Sequence, residues 1–115
     1  MGGNRSRKPY RTTALAGVLN LAETPPWNST LVQIVIGFSA PPTTLGSPFF
    51  IRRVSFVDAL HDYEVLNEDL AITGVLTNLV IPCRFEFSIQ DVVTAQYDNP
   101  DGLDVGLELV FEEAQ

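Results

Sequence analysis

Along much of this chain apolar and polar residues alternate with a period of two. The cleanest stretch is CRFEFSIQ (83–90), where Phe85, Phe87 and Ile89 face one way and Arg84, Glu86, Ser88 and Gln90 the other. DVGLELVFE (104–112) repeats the pattern with Val105, Leu107, Leu109 and Phe111. In TTALAGVLNLAE (12–23) the alternate positions are Leu15, Gly17, Leu19 and Leu21, and FFIRRVSFV (49–57) is aromatic and β-branched. An extended chain points successive side chains to opposite faces, so these runs predict half-buried strands. TLVQIVIGF (30–38) departs from the rule, because Val32, Ile34, Ile36 and Phe38 oppose the equally apolar Leu31 and Val35. It is expected as a central strand covered on both sides or as a strand buried by a neighbouring subunit.

VDALHDYEVLNEDL (57–70) places Val57, Leu60 and Leu66 at helix-compatible spacing, with Asp58 as a cap, so one short helix is expected there at most. AITGVLTNLVI (71–81) returns to β-like composition, with Gly74 or Asn78 as turn candidates. TPPWN, APPTTLGSP, IPC and DNPDG read as turns or loops, since proline and glycine punctuate regular structure. Short strands separated by such turns point to an all-β fold: an antiparallel β-sandwich or small barrel, jelly-roll-like. At 115 residues there is room for one hydrophobic core.

Charge divides the chain. Residues 1–11 hold Arg5, Arg7, Lys8 and Arg11 and no acid; residues 12–115 hold Arg52, Arg53 and Arg84 against all fourteen acids, a net −11. The expected organisation is therefore an extended basic N-terminal arm (1–11) on a single β-sandwich domain (12–115). The arm is where an acidic neighbour would be met, through Arg5, Arg7, Lys8, Tyr10 and Arg11. Nucleic-acid affinity depends on neutralising phosphates, so the acidic body predicts no broad nucleic-acid interface.

Candidate chemistry is sparse. One cysteine, Cys83, precludes an intrachain disulfide and is expected as an inert core thiol. One histidine, His61, with that one cysteine leaves out zinc sites of the usual composition, and no G-x-S-x-G elbow accompanies it, so neither metal nor cofactor is expected. The acidic turn YDNPDGLDVGLE (97–108) spaces Asn99, Asp101 and Glu108 like a calcium loop, but Tyr97 fills its first position and its flanks are strand-like. A strand-joining turn demands the same residue types. Trp27, Phe49 and Phe50 are candidate interface or ligand aromatics. MGGNRS fits an N-myristoylation pattern at Gly2, with the basic residues as a second signal. No apolar run is long enough to span a membrane, and no hydrophobic stretch follows the arm as a secretory signal would require.

With no catalytic constellation, the expectation is a non-enzymatic structural protein that assembles with copies of itself or a larger protein shell. A virion component is foremost: capsid decoration, minor capsid, or head–tail and tail protein, docking through the arm and apolar strand faces. Outside a virus the chain is expected to be cytoplasmic and soluble. The alternative is a carbohydrate-binding module built on loop aromatics around Trp27.

Overall fold

A computed structural model describes residues 6–74 and 77–114. The strands, in chain order, are β1 (Arg7–Leu15), β2 (Leu19–Glu23), β3 (Ser29–Phe38), β4 (Phe49–Val54), β5 (Tyr63–Glu68), β6 (Asn78–Phe87), β7 (Val92–Tyr97) and β8 (Asp104–Glu113). A 3-10 turn, Ala59–His61, precedes β5, and a four-residue helix, α1 (Leu70–Thr73), follows it. The strands form two antiparallel sheets, β1-β8-β3-β6 and β2-β7-β4-β5. The pairs β1–β8, β2–β7, β3–β6 and β4–β5 nest inside one another, as if one long hairpin had been wrapped around itself. That nesting is the jelly-roll arrangement of a β-sandwich.

The inward positions of the alternating runs meet between the sheets. Val105, Leu107, Leu109 and Phe111 of β8 face Leu19, Leu21, Ile51, Val93 and Ala95, all buried. Phe87 meets Phe111 edge-on at 5.1 Å, and Phe49 stacks on Tyr97 at 5.1 Å and 19°. Phe87 and Phe111 thus lie where period two puts them, whereas Ile89 follows the end of β6 and is exposed.

The ambiguous run β3 is a central strand, between β8 and β6. Its register slips between Leu31 and Gln33, so Val32 stands opposite no residue of β8. The bulge re-phases the strand. Leu31, Ile34, Ile36 and Phe38 therefore all point inward, while Gln33 and Val35 on the outer face are half-buried.

Three local readings are corrected. The run 12–23 is two strands in different sheets: the chain turns at 16–18, Ala14 points inward and Leu15 is exposed. Over 57–70, where at most one short helix is expected, the helical part is short and the spacing does not carry on to Leu66, which lies in β5 opposite Ile51 of β4. Asp58 does act as a cap, accepting from the Leu60 amide, but of a three-residue 3-10 turn. Pro82 lies inside β6, an edge strand, where a missing N–H is tolerated. Gly74 is the turn residue, closing α1 at φ 81°, and Asn78 opens β6.

Candidate interaction surface

The basic segment folds back on the acidic body it was contrasted with. Residues 7–11 are the first half of β1, so the sandwich takes in part of the expected arm. Arg7 donates to Glu112 through Nε at 2.9 Å, and Arg11 pairs with Glu108. These residues stand directly opposite in the β1–β8 register. Lys8 lies 5.6 Å from the Tyr10 ring centre, and the Tyr10 hydroxyl donates to the Thr24 carbonyl at 2.9 Å. Arg5 and Gly2 lie outside the described residues.

The molecule's two ends differ from its sides. Both described termini reach one end, where Glu113 donates to the Ser6 carbonyl and Ala114 to that of Asn28. Asp91 ties the loops there together. It is 0% exposed, and accepts from Arg53 Nε at 2.7 Å, the Ser88 amide at 2.7 Å and the Phe56 amide at 3.0 Å. Burial pushes the Asp91 carboxyl up, and these donors outweigh it, leaving the group below the ordinary aspartate range. Arg53 is sheltered in turn by the Tyr63 and Phe87 rings, at 5.3 and 6.0 Å.

The 55–62 loop is braced throughout although residues 56–61 are exposed. Asp62 accepts from the Ser55 amide at 2.6 Å and pairs with Arg52. Asp58 accepts from Leu60 and meets His61 Nδ1 at 2.7 Å. On this scaffold Phe56 is 65% exposed, Val57 73% and Leu60 92%. Ile89, exposed in the neighbouring loop, donates its amide to Asn28 Oδ1, and Asp91 joins the two loops. Leu15, Val18, Leu45 and Ile72 are exposed at the opposite end, leaving Val80 as the one large exposed apolar side chain on a sheet face among the described residues. Ordered loops that hold apolar side chains in water suit contact with another surface.

The other singled-out residues have ordinary surroundings. Phe49 is a correction: it is fully buried and stacked on Tyr97, so its ring belongs to the core and not to the surface. Trp27 is half-buried. Phe50, half-buried on the outer face of β4, lines a shallow depression of about 220 Å³ with Arg52, Thr94 and Gln96. Cys83 donates weakly to the Leu31 carbonyl, and burial pushes its thiol up. In the 97–108 turn Asn99 donates to the carbonyls of Gly17 and Leu103, and Asp101 accepts from both the amides and the hydroxyls of Thr43 and Thr44. The Thr44 hydroxyl and the Thr43 and Thr44 amides hold Asp101 at about 2. These side chains fasten the turn to its neighbours.

Sequence reasoning does not single out Phe56, Val57, Leu60 and Ile89, because Phe56 and Val57 end a strand-like run, Leu60 has helix-compatible spacing and Ile89 alternates with polar neighbours. The available signal was SFVDALHD, where short polar residues interrupt the apolar ones as capped turns require.

No protein-family model matches the chain, and a search of curated proteins found no significant relative.

Proposed function

We propose that this chain is a non-enzymatic assembly protein that packs against copies of itself, as a virion component of the capsid-decoration, minor-capsid or head–tail and tail kind. The observation carrying the proposal is the braced end, where Phe56, Val57 and Leu60 are displayed on a loop secured by Asp58, Asp62 and Asp91. The jelly roll adds support by fold-level analogy, since shell proteins recur on this architecture. Fully burying side chains of this size contributes about 1.5–3 kcal/mol each, enough for a few of them to drive association.

Light scattering across a concentration series tests it. The full chain is expected to exceed the mass of one chain, and Phe56→Ser with Leu60→Ser to return it to one chain with an unchanged melting temperature. A single-chain mass at every concentration overturns the proposal.

The Phe50 depression favours carbohydrate binding as a second reading, because a half-buried ring flanked by Arg52, Thr94 and Gln96 offers one apolar face and several hydrogen-bonding groups. A glycan screen in which Phe50→Ala abolishes a binding signal would move the assignment there.

A further inference from the structure

β1 is lightly anchored. Of its nine side chains, Ala14 is buried, Tyr10 and Thr12 are half-buried and the rest are exposed. It lies at a sheet edge, so β8 is its hydrogen-bonding neighbour. Its pairs Arg7–Glu112 and Arg11–Glu108 are exposed on the arginine side, and water and salt compete well for such pairs. Ala14 enters the core, and Tyr10 packs against it, meeting Phe111 edge-on at 5.8 Å and donating to the Thr24 carbonyl at 2.9 Å.

The hinge is short. Three residues, 16–18, join β1 to β2 across the end of the sandwich, and Ala16 has φ 59°, the left-handed region that a Cβ disfavours. A short, strained hinge favours opening, with one element passing to a neighbouring molecule.

We infer that β1 is exchanged between copies of this chain, so that β1 of one copy lies on β8 of the next in the register seen here. Every β1–β8 contact is regained in the exchanged pair, so the balance turns on the hinge and on concentration. Charge complementarity selects the occupant: a ladder of Arg7 and Arg11 against Glu112 and Glu108 is met on β8 of a second copy. The inference rests on the assembly reading and gives it a mechanism, in which exchange links subunits and the apolar loops pack between them.

Two single-thiol chains test this, both carrying Cys83→Ala, one with Thr13→Cys and the other with Gly106→Cys. Thr13 and Gly106 are opposite in register, and a Cβ at Gly106 meets nothing within 4 Å, so both chains should fold. The folded chains are mixed, incubated and oxidised, then run on a non-reducing gel. A mixed disulfide dimer is expected, and adding Ala16→Gly should lower its yield about tenfold by relieving the closed hinge. Pro9→Cys with Val110→Cys, also opposite, repeats the test should either chain misfold. No mixed disulfide from chains that still scatter as oligomers overturns the exchange and leaves assembly through the loops. A single-chain mass throughout overturns both.

Discussion

Asp91 and Asp101 are both well-bonded aspartates, and burial separates their consequences. Asp91 is fully buried with Arg53 15% exposed beside it, so removing the carboxylate strands a largely desolvated guanidinium. Asp91→Ala is therefore expected to cost about 3 kcal/mol in urea denaturation. A loss below about 1 kcal/mol would show that water takes over the role of the carboxylate. Asp101 acts at the surface and shows itself through pH. Its folded value of about 2 lies below the ordinary 3.8, so its stabilising effect is complete above that ordinary value and is lost as pH falls through 2. Asp91 is lowered too, and Asp58 likewise, chiefly by its hydrogen bond to His61. The melting temperature should accordingly hold from neutrality to about pH 5 and fall steeply below about pH 4. Thr44→Val should raise the Asp101 value in a carboxyl NMR titration.

At the scale of elements, the outer face of the β1-β8-β3-β6 sheet has a bare patch. Gly106 of β8 stands directly across from Gly37 of β3, and with Arg11, Thr13 and Val35 they line a shallow dish of about 260 Å³. The two glycines are not equivalent. Neither has a positive φ, but a Cβ on Gly106 meets open space, whereas one on Gly37 comes within 3.3 Å of Asn78 Oδ1. Gly106→Ala should raise stability by about 0.5 kcal/mol through the unfolded chain alone. Gly37→Ala should gain less, because Asn78 must move. Thermal denaturation of the two variants side by side decides it. The strands themselves were legible where one face is wet, as in β8. The 57–70 segment was not, because β4 beside it decides that 63–68 is extended, and helical spacing of three apolar residues carries no information about that neighbour.

For the whole molecule, net charge opposes the assembly that the apolar ends favour. The chain carries −7 overall, so copies repel at low ionic strength. Contact through Phe56, Val57 and Leu60 should therefore tighten several-fold as salt rises from about 20 mM to about 500 mM, where charges beyond a few ångströms are screened. Analytical ultracentrifugation over that range checks the sign. Association that weakens with salt would place the contact on charged groups instead. The candidate surface was illegible at this scale, because an exposed Leu60 and a buried Leu109 look alike in a residue list.

What the sequence determined by itself was the class of fold and the inward set of its regular strands, since period two is a property of the extended backbone and needs no partner. The charge division was equally plain, as were most of the turns that proline, aspartate and glycine mark, the one read at Pro82 excepted. Tertiary structure alone decided that residues 7–11 answer to Glu108 and Glu112, about a hundred positions away, and that a bulge at Val32 resets the phase of β3. It alone gathered Arg53, Phe56 and Ser88 around Asp91. Each of those outcomes depends on which strand lies beside which, and local alternation does not encode the order of strands in a sheet.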